Sequence, residues 1–115
     1  MLLSLDHVTL RSSDFDRCER FYCGLLGMRV GPRPAFAVPG RWFYLGDEAV
    51  LHVLPAQDHG DKVTRGTIDH FAMRATGLAE FEKRLAGAGH AYDLKRQPTT
   101  GDWQMFMVDP DGATV

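Results

Sequence analysis

The strongest constraint on this chain is that it is written twice. Leu5-Asp6-His7-Val8-Thr9-Leu10-Arg11 returns 63 positions later as Ile68-Asp69-His70-Phe71-Ala72-Met73-Arg74, with Asp, His and Arg identical. A helix pattern follows each copy. Phe15, Cys18, Tyr22 and Leu25 share one face, and the same spacing gives Leu78, Phe81, Leu85 and Ala88. Ser13 or Asp14 is placed to cap the first helix and Thr76 the second, while Gly27 and Gly89 stand where glycines end helices. With one more residue of offset, Trp42 to Leu51 overlies Phe106 to Val115, and each segment reads as strand, tight polar turn, strand.

The repeated unit is therefore strand, helix and three strands, and the expected fold class is α+β, built from two βαβββ modules. The spacing puts the elements of the first copy near 4–11, 14–26, 28–36, 41–45 and 49–54. Those of the second fall near 67–75, 77–88, 91–96, 103–108 and 113 onward. A single domain of 1–115 is expected, with a first module over 1–54, a linker over 55–66 and a second module over 67–115. The residue matching His52 falls at position 116, past Val115, so the last strand reads as cut short.

Composition narrows the classes of function. With a net charge of −2 and no basic cluster longer than two residues, the chain lacks the dense cationic surface that nucleic acid requires. No apolar run approaches the ~18 residues of a membrane span, and Met1 to Leu5 is too short for a signal core. Cys18 and Cys23, five apart on a helix, are rotated by about 140° onto different faces and cannot pair. Reduced thiols without a targeting segment point to a cytoplasmic protein.

Strand alternation puts Leu5, His7 and Thr9 on one face and Asp6, Val8 and Leu10 on the other. Ile68, His70 and Ala72 share a face in the second copy, and Val50, His52 and Leu54 do so on the fourth strand. Three histidines at repeat-related strand positions are candidate ligands of one divalent metal ion, with Fe, Zn, Ni or Mn suited to imidazole. His52 is also a candidate acid/base, since an imidazole titrates near neutrality. Thr9, Trp42 and Trp103 are the candidate substrate-binding residues, with Tyr44 and Phe106 as further aromatic groups for a groove. Asp6 and Asp69 are placed away from the histidines, His59 and His90 are expected to face solvent, and Met73, Met105 and Met107 to be core.

Leu5-Asp6-His7-Val8, Phe21-Tyr22 with Leu25-Leu26-Gly27-Met28, Ile68-Asp69-His70-Phe71 and Asp109-Pro110-Asp111-Gly112 together resemble the vicinal-oxygen-chelate superfamily, which includes glyoxalase I, bleomycin-resistance proteins and extradiol dioxygenases. The resemblance implies a cupped mixed sheet and metal ligands at His7, at His70 and at the position past Val115. It implies an enzyme whose metal chelates neighbouring oxygens of a small-molecule substrate, a glyoxalase-like lyase or isomerase in the first instance. Where glyoxalase I has a carboxylate or glutamine this chain has His52. An iron-dependent extradiol ring-cleavage dioxygenase is therefore an alternative, and a metal-free binding protein of the bleomycin-resistance kind is another. Open sheet edges and the short members of the family imply a homodimer with sites shared between subunits.

Overall fold

The computed structural model describes residues 3–56, 70–98 and 100–115. The chain divides into two compact units, Met1–Gly60 and Asp61–Val115. In the first, strand β1 (Val8–Ser12) leads into helix α1 (Phe15–Glu19), followed by β2 (Arg29–Gly31), β3 (Arg41–Leu45) and β4 (Glu48–Pro55). These strands form one mixed sheet in the order β1-β4-β3-β2, with β1 parallel to β4 and the other pairs antiparallel. The register sets Thr9 opposite His52 on one side and Trp42 opposite the same histidine on the other. Cross-strand partners share a face, so these three side chains stand together. Phe43, Leu51 and Val53 alternate to the other face and are buried, as are Cys18, Phe21 and Tyr22 of the helical segment.

Asp14 is the residue that caps α1, accepting a hydrogen bond from the Arg17 backbone N–H at 3.0 Å. Past Glu19 the helix widens into a π-helical turn over Arg20–Leu25, where the Leu26 N–H reaches back five residues to the Phe21 carbonyl at 3.0 Å. Phe21 and Tyr22, three and four residues after buried Cys18, both face inward and are buried, with their rings edge-on at 4.8 Å. Arg41 ties β3 to the helix through Asp16 at 2.7 Å and Glu19 at 2.8 Å.

Two expected strands are shorter than their sequence patterns. Residues 3–7 lie outside β1, and the strand expected over 28–36 ends at Gly31. Pro32 and Pro34 explain the second case: each lacks the N–H that a ladder needs, and 32–40 becomes a loop.

In the second unit, α2 (Leu78–Gly87) precedes an antiparallel pair, β5 (Asp93–Arg96) and β6 (Trp103–Phe106). Leu85 and Met107 are buried there. The helix starts from Gly77 in the left-handed region (φ 77°), not from a Thr76 cap. Among the described residues, the strand expected over 67–75 is reduced to one parallel bridge, His70 with Thr114. That bridge repeats the register of Val8 with Leu51, shifted by the two sequence offsets. The paired Met107–Val115 backbone bonds, both 2.9 Å, likewise repeat Phe43 with Leu51. The turn between them is organised by buried Asp109, whose Oδ1 accepts from the backbone N–H groups of Asp111 at 2.9 Å and Ala113 at 2.8 Å. His90 is half-exposed, and its Nε2–H donates to the Val108 carbonyl at 3.1 Å in an exposed bond. His59, Asp69 and residues 57–66 of the expected linker lie outside the described residues. No helix among the described residues is long and apolar enough to cross a membrane.

Candidate functional site

The sheet face of the first unit that carries Thr9, Trp42 and His52 floors an open cleft of about 960 Å³. That size suits a small molecule. Residues 4–7 and the 32–40 loop supply its walls, including Leu5, His7, Arg33, Phe36 and Val38. His52 is sandwiched in the middle. Its ring lies 4.0 Å from His7, tilted by 16°, and 4.0 Å from Trp42, tilted by 7°.

Hydrogen bonds define which nitrogens are free. His7 donates from Nδ1 to Asp6 Oδ2 at 2.6 Å, which leaves Nε2 as an acceptor or ligand. The expectation that Asp6 points away from the histidines fails. It rested on strand alternation, and residues 3–7 are not in the strand. His52 donates from Nε2 to the Ala49 carbonyl at 3.0 Å, leaving Nδ1 with a lone pair. Burial, the facing His7 ring and the Arg33 cation lower the His52 pKa from the ordinary imidazole value of 6.5, against smaller opposing effects from the Ala49 bond and Asp6. Neutral His52 is thus the native form; its contribution to stability is present above the unfolded value and is lost as pH falls through the lowered one. NMR of the His52 ring protons in metal-stripped protein is expected to give a midpoint below 6.5. A midpoint at or above that value contradicts the arrangement.

The donor chemistry fits one ion ligand in this unit rather than two. An imidazole with a carboxylate on Nδ1 and a free Nε2 is a metal ligand already oriented by its outer partner. Stacked rings bind one ion poorly together. The rings lie face to face, 4.0 Å between centroids and 16° between planes, so their in-plane lone pairs run side by side rather than converging. No group of three or more His, Cys, Asp or Glu side chains able to hold a metal occurs among the described residues. Cys23 offers no thiolate, since burial and the nearby Glu19 push its pKa up to about 11.

His70 occupies the place in the second unit that His7 has in the first; it is exposed, and its ring meets Phe106 edge-on at 6.1 Å. Trp103 stands on β6 opposite Arg96, on the other strand face from Phe106, and is 54% exposed with the Arg96 guanidinium 5.8 Å from its ring. It is not among the residues that line the cleft, whereas Thr9 and Trp42 are. Sequence reasoning passed over Arg33, Phe36 and Val38. The signal for them was the run of prolines at 32, 34 and 39, which turns the supposed strand into a cleft wall.

Residues 4–115 match the Glyoxalase/Bleomycin resistance protein/Dioxygenase superfamily. No curated protein matches the chain. Similar solved structures include a glyoxalase family protein of Bacillus anthracis, with a TM-score of 0.78 and 20% identity over 99% of this chain and 92% of that one. A glyoxylase/bleomycin resistance protein/dioxygenase domain of Frankia sp. EAN1pec has a TM-score of 0.78 and 22% identity, covering 99% of this chain and 94% of that one. A lactoylglutathione lyase of Agrobacterium tumefaciens gives 0.71 and 21%, over 97% and 90%. The chain belongs to the Glyoxalase/Bleomycin resistance protein/Dioxygenase superfamily.

Proposed function

We propose that this chain is a divalent-metal-dependent enzyme, a glyoxalase-like lyase or isomerase acting on a small substrate with two neighbouring oxygens. The observation that carries this reading is the pairing, in one cleft, of an imidazole whose Nε2 is free behind an Asp6 contact with a second imidazole held neutral. His7 and His70 would hold an Fe, Zn, Ni or Mn ion. Such an ion, when bound, supplies Lewis acidity that stabilises negative charge on the adjacent substrate oxygens. His52 takes a proton at Nδ1 from the substrate carbon beside a carbonyl and returns it to the neighbouring carbon, while the hydroxyl proton passes from one substrate oxygen to the other. The Thr9 hydroxyl hydrogen-bonds a substrate oxygen, and the Trp42 ring keeps His52 in plane and excludes water on that side.

Elemental analysis of protein purified without added metal tests the reading, run beside His7→Ala and His70→Ala. One ion per site in the parent chain and loss of most of it in either variant are expected. A parent chain that neither carries nor takes up metal sinks the proposal. It would favour the metal-free binding protein instead, to which the stacked His7 and His52 rings already lend some weight.

A shared-site homodimer completes the proposal, with His7 and His52 from one chain and His70 from its partner. β1 and β2 are the two edges of the first sheet, and unpaired edges favour association. A two-fold axis then makes two sites from the same surfaces. Mixing His7→Ala chains with His70→Ala chains should restore one metal centre in some mixed dimers. No recovery after proven subunit exchange, or a monomer by light scattering, overturns this arrangement.

A further inference from the structure

We propose that the substrate of this cleft is a carboxylate with an apolar body, the acid group received by Arg33 and the body lying against Phe36, Val38 and Leu54. This deepens the enzyme reading and rests on the cleft being the substrate site. Arg41 and Arg84 each sit within 3.0 Å of a carboxylate, while among the described residues no acidic side chain is paired with Arg33. Its guanidinium is nevertheless held in place. Nη2 donates to the Val38 carbonyl at 2.8 Å, and the Phe36 ring lies 4.9 Å away. Gly40 leaves room for it, since a Cβ there would fall 2.9 Å from Cζ and Nε. Nε is buried without a partner, a costly state for a cationic N–H that a nearby anion offsets by Coulomb attraction.

Polarity along the cleft agrees. The other charged lining groups are Asp6, bonded to His7, and Glu48. Glu48 opens β4 five residues before Val53, whose carbonyl borders Gly40, so it stands roughly 16 Å along the strand from the Arg33 end. His52 lies between. Apolar groups surround the cation: Phe36 is 56% and Val38 51% exposed at the lip, more than a wall facing only water favours. With Nε inaccessible and one Nη2–H on Val38, the Nη1–H groups and the second Nη2–H are the donors left for a carboxylate, which accepts two parallel hydrogen bonds.

The test is calorimetric titration with phenylacetate and its uncharged isostere phenylacetamide, on the parent chain and on Arg33→Met, Arg33→Lys and His7→Ala. Phenylacetate should bind the parent chain about 10-fold or more tighter than the amide. Arg33→Met should bring the two probes within about two-fold, and Arg33→Lys, which keeps the charge, should retain part of the preference. The preference should survive His7→Ala, since it does not depend on an ion. Equal affinities in the parent chain, no saturable binding of phenylacetate, or a preference that survives Arg33→Met overturns the assignment. So does a preference lost in His7→Ala, because the ion would then be receiving the acid. Absence of metal with the preference intact defeats only the enzyme reading.

Discussion

Replacing His52 by alanine is expected to lower turnover by about 100- to 10,000-fold while leaving bound metal near the parent level. The ring is fixed on three sides, by His7 at 4.0 Å, by Trp42 at 4.0 Å and by the Ala49 carbonyl at 3.0 Å from Nε2. Nδ1 alone is left to take a proton, and a lowered pKa keeps it able to do so at neutral pH. With His52 stacked on His7, its lone pair runs beside that of His7 rather than converging with it. The role of base and the role of ligand therefore predict different results. Hydron exchange between hydroxyacetone and deuterated water reads the first, and metal content per site reads the second. Parallel loss of both would make His52 a ligand, with the stack opening on metal binding.

Phe43→Ala should cost about 3–5 kcal/mol of folding stability, the largest effect expected of a single truncation here. Phe43 is fully buried at the centre of β3, paired with Leu51 across the sheet and 6.0 Å from the Tyr22 ring. A domain of this size holds only about 5–15 kcal/mol in total, so the variant approaches the point of unfolding. Urea titration monitored by far-ultraviolet circular dichroism reads the shift in midpoint. The site should weaken with it, because Trp42 keeps its place on His52 only while β3 stays in register with β4. A loss below about 1 kcal/mol would mean the core collapses into the void more freely than close packing allows.

The doubled Asp-His and the two offsets made the βαβββ unit legible; the shared register, His70 with Thr114 as in Val8 with Leu51, came from the structure. β3 and β4 were legible because alternation and a turn bound them on both sides. Alternation misled where it was extended past the ladder. Asp6 was assigned to the wrong side because residues 3–7 are not held by hydrogen bonds to a neighbouring strand. The 28–36 strand was overextended because its apolar content outweighed Pro32 and Pro34. The meeting of Thr9, Trp42 and His52 follows from a parallel pairing of β1 with β4 beside an antiparallel β3. Pairing direction is set by the path of the chain between strands, which no local pattern of residue types records.

The π-helical turn over Arg20–Leu25 has a consequence for how this sequence can change. A wider turn of this kind is one residue longer than the α-helical turn it replaces, and here it lies between the Asp14 cap and Gly27 at φ 85°. Substitution within it should alter packing but leave the widened turn in place. Deleting one residue, Gly24 for example, would be the move that returns it to ordinary helical winding. The five-residue bond from the Leu26 N–H to the Phe21 carbonyl would then give way to the four-residue kind. The number of residues in this segment is thus what decides how the helix winds, while substitution at fixed length tunes only how it packs.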